Sequence, residues 1–234
     1  NILRSINSQA YKVSSGQLTN IPIIKEMMKD NLPIIFSSGM AEEKDIQKVI
    51  NLCLKHNISN FAFLHCISLY PTSYDQLNLE YINYLAKNYN IISGYSDHTI
   101  GELACLAAVS IGAKIIEKHF TTDNNLKGAD NNLSMNNKDF KVMCSKIREI
   151  EDMKYKSLSK PHPLELDLRK KRYRKLVAKK DINIGDRFTI ENISFMRIEE
   201  ERNCIYASDW DLISGKVSNR YIKQYSLITI DSSL

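Results

Sequence analysis

The chain has 234 residues, of which 43% are hydrophobic and 25% charged, a composition typical of folded globular proteins. Its 32 basic and 27 acidic residues leave a net charge of +5, which favours an anionic small molecule but falls short of a nucleic-acid-binding surface. No apolar run reaches the roughly 20 residues of a membrane-spanning helix, and the first residues lack a signal-peptide core. We therefore expect a cytoplasmic protein that binds neither nucleic acid nor membranes.

Five apolar runs recur roughly every 25–30 residues in the first half of the chain, which is the period of a strand followed by a helix. Because most of these runs place apolar residues at consecutive positions rather than at alternate ones, they predict parallel strands that are buried on both faces. The predicted strands span residues 10–15, 33–38, 60–66, 91–96 and 113–120.

Amphipathic helices are predicted between these strands and after the last one, at residues 41–57, 101–113 and 136–153. The first of them is the clearest. Its expected apolar stripe consists of Ile46, Val49, Ile50, Cys53 and Leu54. Strands that alternate with helices in this way indicate an α/β fold with a parallel sheet. Five units form either an open sheet or the later part of an eight-unit barrel, and the period leaves both possibilities open.

The sequence pattern changes after residue 153, which divides the chain into three predicted parts. Residues 1–153 form the α/β domain, and the polar, Lys- and Arg-rich residues 154–175 form a linker. Residues 176–234 contain short alternating segments and a predicted turn at Asn183, Gly185 and Asp186, which indicates a small β-rich domain. A domain of this size buries little surface, so we expect it to pack on the first domain or on a partner subunit.

The cysteines are scattered, without the CxxC spacing of zinc sites or redox motifs. Most lie inside apolar or amphipathic patterns such as FAFLHC. We therefore predict that they are reduced and buried, and that they neither bind metal nor form disulfides. The five are Cys53, Cys66, Cys105, Cys144 and Cys204.

Two histidines end neighbouring predicted strands, His98 in SDHT and His119 in EKHF. Parallel α/β enzymes have their sites at the carboxyl ends of strands. We therefore hypothesise that both imidazoles bind one divalent metal, with a nearby carboxylate such as Asp97 or Glu117 as a further ligand. The alternative that the sequence leaves open is that each histidine is buried and hydrogen-bonded.

Serine and glycine recur at the ends of the first four predicted strands, where hydroxyls and backbone N–H groups can bind phosphate or carboxylate. Lys12 on the first strand would add the positive charge that such a site requires. Tight turns alone would also explain these serines and glycines. Asp130, in the loop KGADNN, could orient a sugar hydroxyl or complete a metal shell. The chain has no GxGxxG, GxxxxGK[ST] or GxSxG motif, which argues against dinucleotide, P-loop and serine-hydrolase sites.

The chain resembles the sialic acid (N-acylneuraminate) synthase family in five segments. They are YKVSSGQLTNIPII, PIIFSSGM, LHCISLYPT, GYSDHTIGELACLAAVSIGAKIIEKHF and VAKKDINIGDRFTIENI. The resemblance implies a (β/α)₈ TIM barrel, of which this chain holds the later units, followed by a small antifreeze-like or SAF domain. It also implies a domain-swapped homodimer in which that domain covers the partner's active site.

The resemblance further implies a metal-dependent enzyme that condenses phosphoenolpyruvate with an N-acyl aminosugar such as N-acetylmannosamine and releases phosphate. The implied cofactor is Mn²⁺ or another divalent ion such as Mg²⁺ or Co²⁺. A legionaminic or pseudaminic acid synthase, which uses a 2,4-diacetamido-trideoxy sugar, is the alternative enzyme. A non-catalytic binding or partner protein is the alternative from another class.

Site residues follow from the resemblance, position by position. The implied metal ligands are His98 and His119, the implied phosphoenolpyruvate ligands are Lys12, Ser15, Ser37 and Ser96, and the implied sugar contacts are Tyr70, Asp130 and Arg197. Ser68 is a further implied substrate contact and stands where many members have asparagine. Ile198–Glu201 replaces the Pro-Gly-x-Gly that usually follows the arginine. The family's strand-one glutamate, a second lysine and a Thr-x-Phe segment have no counterpart in these 234 residues, and without them we expect no turnover.

Overall fold

The computed structural model describes residues 2–153, 160–199 and 203–233. They belong to two compact units, residues 1–155 and 156–234. The first unit contains α1 (Ile2–Ser5), β1 (Tyr11–Val13), α2 (Ile21–Met28), β2 (Ile34–Ser37), α3 (Glu43–Lys55), β3 (Phe61–Cys66), α4 (Tyr81–Tyr89), β4 (Ile92–Asp97), α5 (Leu103–Ile111), β5 (Ile116–Lys118), β6 (Phe120–Thr121), β7 (Met135–Asn136) and α6 (Asn137–Met153).

Strands β1 to β5 form one parallel sheet in sequential order, and a helix lies between each strand and the next. Parallel neighbours require such crossovers, because a tight turn cannot return the chain in the same direction. The sheet is strongly curled, since Lys12 Nζ on β1 lies 3.3 Å from Glu117 Oε2 on β5. The outermost strands of a flat five-stranded sheet would lie roughly 19 Å apart. The unit is therefore part of a barrel, and the open-sheet alternative is wrong.

The outward face of the sheet packs against α2 and α3 in an apolar core. Phe36 and Phe63 are fully buried there, with ring centres 5.1 Å apart. Helix α3 begins after Glu42, whose backbone N–H donates to Asp45 Oδ2 at 3.1 Å. Its predicted stripe is buried at Ile46, Val49, Ile50 and Cys53.

Leu54 is 60% exposed, so its assignment to the apolar stripe of α3 is wrong. Four buried positions already fill the contact between the helix and the sheet, and residue 54 lies at the solvent edge of that contact. All five cysteines are free thiols and four of them are buried, as predicted, while Cys144 is half-buried.

The second unit contains α7 (Pro163–Arg172), β8 (Lys175–Ala178) and β9 (Ile193–Met196). Strands β8 and β9 are antiparallel, and isolated bridges join later segments to the same small core. The predicted turn is present, with the Asn183 N–H donating to Asp186 Oδ2 at 2.8 Å and Gly185 at a φ of +90°. Helix α7 lies within the predicted linker, whose residues 154–159 are outside the described residues.

Across the ranges that the structure describes, no helix combines the length and apolar character needed to cross a membrane.

Candidate functional site

The carboxyl ends of the strands in the curled sheet surround a cavity of about 410 Å³, a volume typical of small-molecule sites. Alternate residues of a strand face the same side, so the side chains at positions 96, 98, 117 and 119 all project into this cavity. Its lining consists of Lys12, Ser14, Ser15, Gly16, Ser37, Met40, Cys66, Ser68, Tyr70, Ser96, His98, Glu117 and His119. Eight of the ten residues predicted for the site therefore line one cavity, and the other two are Asp130 and Arg197.

One side of the cavity carries an ammonium group among hydroxyls. Lys12 Nζ donates to Ser37 Oγ at 2.7 Å and pairs with the Glu117 carboxylate. The other carboxylate oxygen of Glu117 accepts a hydrogen bond from Ser96 Oγ at 2.7 Å. These contacts hold the lysine charge at the cavity wall, where it can meet a phosphate or carboxylate.

Gly39 allows the loops after β1, β2 and β3 to come together at this wall. Its backbone N–H donates to Ser15 Oγ at 3.1 Å. A Cβ at position 39 would lie 2.6 Å from the same oxygen and would also collide with the Ser68 hydroxyl. A side chain at position 39 would force these serine hydroxyls to shift, so Gly39 leaves room for the close approach of the loops.

The other side of the cavity carries the two histidines. The ring centres of His98 and His119 lie 5.1 Å apart, and the rings are nearly perpendicular. His98 Nδ1 is 2.7 Å from the backbone oxygen of Ile67, and a carbonyl can only accept, so Nδ1 carries the proton and Nε2 has the free lone pair. Tyr70 covers both rings, with centroid distances of 4.0 Å to His98 and 5.5 Å to His119.

This donor pair fits a divalent metal. Two imidazoles that bind one ion through bonds of roughly 2.1 Å have ring centres about 5 Å apart, which matches the separation of His98 and His119. The hydrogen bond from His98 Nδ1 to a backbone carbonyl is the usual support for a metal-binding histidine. Within the described ranges, no group of three or more His, Cys, Asp or Glu side chains is arranged to hold an ion.

Asp97 lies outside the cavity, so the expectation that it supplies a metal-binding carboxylate is wrong. Adjacent residues of a strand face opposite sides, and Asp97 therefore points away from His98. It is buried on the outer face and pairs with Lys118 at 2.7 Å. Glu117 is the carboxylate that faces the cavity, two positions before His119 on the same side of the strand.

Cys66 also lines the cavity, which the sequence analysis missed. Its sulfur lies 4.0 Å from His98 Nδ1 and 3.5 Å from Ser15 Oγ. Burial alone raises the pKa of this thiol, but the neighbouring His98 and Ser15 outweigh burial and lower it. Burial opposes protonation of His98, but the Cys66 sulfur and the Ile67 carbonyl raise its pKa. The run FAFLHC is buried on both faces, so its composition gave no sign that position 66 faces a cavity.

Asp130 lies beside the cavity, and Arg197 belongs to the second unit. Asp130 Oδ2 is 3.4 Å from His119 Nδ1, so this loop aspartate contacts a predicted metal ligand directly. Arg197 is exposed immediately after β9. Glu200 and Glu201, part of the segment that replaces Pro-Gly-x-Gly, lie outside the described residues.

The curled parallel sheet and the polar cavity at its strand ends define an α/β-barrel protein with a site of the kind found in enzymes. The chain belongs to the NeuB family, whose model matches residues 1–158, and a SAF domain model matches residues 173–231. The resemblance to sialic acid synthases and the expected combination of barrel and SAF domain are therefore confirmed.

Several known proteins align with most of this chain. An uncharacterized protein of Methanocaldococcus jannaschii is 40% identical over 196 residues, which is 84% of this chain and 58% of that protein. The N,N'-diacetyllegionaminic acid synthase of Campylobacter jejuni is 34% identical over 232 residues, or 97% of this chain and 68% of that protein. The crystal structure of the N-acetylneuraminic acid synthetase of Leptospira borgpetersenii has a TM-score of 0.67 and 32% identity, covering 72% of this chain and 60% of that one.

Proposed function

We propose that the protein carrying this chain is a nonulosonic acid synthase, which condenses phosphoenolpyruvate with an N-acyl aminosugar and releases phosphate. The observation that supports it most directly is the division of one cavity into two parts. A lysine among hydroxyls lies on one side, and a pair of imidazoles lies 5.1 Å apart on the other. An anionic reactant and a carbonyl reactant would thus be held next to each other.

Phosphoenolpyruvate would occupy the side of the cavity that contains Lys12. The ammonium and the hydroxyls of Ser15, Ser37 and Ser96 would bind its phosphate and carboxylate, because such groups accept charge-assisted hydrogen bonds. In the proposed reaction, C3 of phosphoenolpyruvate forms a bond to the sugar's aldehyde carbon. Water then adds at C2, and the bond between C2 and the phosphate oxygen breaks. The chain's role is to hold the two reactants in this geometry.

His98 and His119 would hold Mn²⁺, Mg²⁺ or Co²⁺. When bound, such an ion polarises a carbonyl oxygen as a Lewis acid. His98 is kept in the required tautomer by Ile67, and Asp130 Oδ2 lies 3.4 Å from His119 Nδ1. Tyr70, 51% exposed above both rings, would contact the sugar.

The proposal leaves two candidates for the sugar substrate. N-acetylmannosamine fits the resemblance of the sequence to sialic acid synthases. The 34% identity to a legionaminic acid synthase over almost the whole chain favours a 2,4-diacetamido-trideoxy sugar as the second candidate. The chain spans 58% of the length of the M. jannaschii relative. The assays below use the complete native polypeptide.

The assembly is proposed to be a cytoplasmic, domain-swapped homodimer. The dimer follows from the resemblance to the synthase family, and residues 173–231, which match the SAF domain model, include Arg197, exposed immediately after β9. In such a dimer Arg197 would bind the N-acyl group of the sugar in the partner's site.

Phosphate release by the complete polypeptide tests the proposal. Phosphoenolpyruvate is supplied with Mn²⁺ and either N-acetylmannosamine or the 2,4-diacetamido sugar, with and without a chelator. We expect sugar-dependent release that the chelator stops and that His119→Gln abolishes. His56→Gln, at the exposed end of α3, is the matched control and should retain activity. If the protein binds phosphoenolpyruvate but releases no phosphate with any sugar, the result would instead support a non-catalytic binding protein.

A further inference from the structure

We propose that the buried ion pair between Asp97 and Lys118 is a positioning device that sets the separation of His98 and His119. The inference rests on the proposed function, because it treats these two histidines as metal ligands. Lys118 Nζ and Asp97 Oδ2 are 2.7 Å apart, and the two side chains are 1% and 0% exposed. Burying two charges is costly unless their geometry is fixed and their remaining hydrogen bonds are made. This pair therefore constrains the backbone that carries it.

The register of the sheet relates the ion pair to the histidines. Asp97 and Lys118 are directly opposite each other in the parallel pairing of β4 and β5. Each is followed immediately by one of the histidines. Because successive residues face opposite sides, the ion pair lies on the outer face while both imidazoles project into the cavity. A one-residue slip between the strands would separate the charges, so the ion pair keeps the two histidine-bearing strand ends in register.

The ion pair also fixes the turn that contains His98. Asp97 Oδ1 accepts a hydrogen bond from the Thr99 N–H at 2.8 Å, and Oδ2 accepts one from Thr99 Oγ1 at 3.2 Å. Lys118 Nζ donates to the backbone oxygen of Thr99. Thr99, which follows His98, is therefore held both by Asp97, which precedes His98, and by Lys118, which precedes His119.

Neighbouring groups complete the hydrogen bonding of the carboxylate. The Tyr95 hydroxyl donates to Asp97 Oδ1 at 3.0 Å, and the Cys105 thiol of α5 donates to Oδ2 at 3.2 Å. Neither Asp97 nor Lys118 is among the residues that line the cavity. They would act on the site only through the backbone, as positioning residues.

Manganese binding by the complete native polypeptide tests the inference. In the double variant Asp97→Asn/Lys118→Met no single buried charge is left unpaired, and the amide oxygen introduced at position 97 can still accept the Thr99 N–H. We expect its affinity for Mn²⁺ alone, measured from the free-ion resonance signal, to fall about 10- to 100-fold, as when a group supporting a metal ligand is removed. Saturating Mn²⁺ should restore phosphate release toward the wild-type rate, whereas His119→Gln should not recover.

A milder variant and a stability control keep the test decisive. Thr99→Val removes one hydrogen bond to Asp97 and should weaken Mn²⁺ binding roughly two- to tenfold, even if the double variant does not fold. Ile46→Ala, in the buried stripe of α3, should lower the melting temperature and leave Mn²⁺ affinity unchanged.

The outcomes separate the inference from the proposed function. If His119→Gln loses Mn²⁺ while the double variant and Thr99→Val bind it as Ile46→Ala does, the positioning role is overturned and the proposed function stands. If the wild-type protein binds no Mn²⁺ and releases no phosphate with any sugar, both are overturned.

Discussion

The ion pair between Lys12 and Glu117 joins the first and last strands of the five-stranded sheet, with Nζ and Oε2 3.3 Å apart. These two residues are 105 positions apart in the sequence. Curling of the sheet brings a cation and a carboxylate to the same cavity wall as the serine hydroxyls. The lysine is therefore held at the anion side of the site before a ligand arrives.

Lys12→Met should weaken phosphoenolpyruvate binding. A hydrogen bond to a charged group contributes about 1.5–3 kcal/mol, so we expect the KM for phosphoenolpyruvate to rise about 10- to 100-fold. The KM for the sugar should change far less. Steady-state kinetics of phosphate release measure both values. Lys25→Met, on the exposed side of α2, is the matched control. An unchanged KM for phosphoenolpyruvate in Lys12→Met would show that Lys12 does not bind the anion.

Cys66 should react with iodoacetamide before Cys53 and Cys105. Its pKa is lowered by His98 and Ser15, whereas burial raises the pKa of Cys53 to about 12 and also raises that of Cys105. The thiolate is the reacting form, so the order of labelling follows these directions. Peptide mass spectrometry over a time course gives the order.

Phosphoenolpyruvate should protect Cys66 from this reagent, because the thiol lines the same cavity. The Cys66→Ser variant identifies the labelled peptide. Equal labelling of the three thiols, or labelling of Cys66 that phosphoenolpyruvate does not slow, would contradict the geometry.

His65 should make the protein less stable as the pH falls. Its ring is buried between Tyr81 and Tyr95, and burial lowers its pKa, although the hydrogen bond with the Leu77 carbonyl opposes this. The unfolded chain then binds the proton more readily than the folded one. The contribution of neutral His65 is fully present above about pH 6.5 and is lost as the pH falls from there toward its lowered pKa.

Urea unfolding of the wild type and of His65→Gln between about pH 7.5 and 5 measures this effect. The difference between their free energies of unfolding should shrink by up to about 1.4 kcal/mol per pH unit, and other groups cancel in that difference. His56→Gln is the exposed control. If the difference between the free energies of unfolding of the wild type and His65→Gln stays constant with pH, His65 has the same pKa in the folded and unfolded states.

Arg197→Ala should raise the KM for the aminosugar and leave the KM for phosphoenolpyruvate near its wild-type value. The proposed role of the guanidinium is to bind the N-acyl oxygen, and loss of such a charged hydrogen bond corresponds to an increase of about 10- to 100-fold. Lys223→Ala, another exposed cation of the second unit, is the control. Equal changes in both KM values would assign Arg197 a general electrostatic role.

Many of the strands and helices of the first unit could be predicted from local sequence patterns. Four of the five apolar runs contain an observed strand, and β4 extends one residue beyond the remaining run, to Asp97. Helices α3, α5 and α6 lie inside the predicted helices, because buried strands and amphipathic helices have distinct periods. The candidate site was also found in large part, since the strand ends of a parallel sheet converge whatever the details of packing. Leu54 was misplaced because a residue at the edge of an apolar stripe is buried only if a neighbour covers it.

The residue types at the strand ends, a lysine, several serines and two histidines, can be read from the sequence alone. The tertiary structure decided which of them share a cavity and which face away, as the pairs Asp97–Lys118 and Glu117–His119 show. The physical reason is that a strand buried on both faces has no polar alternation to show its orientation. Curvature is likewise a property of the whole sheet, so the contact of Lys12 with Glu117 follows from packing rather than from any local pattern.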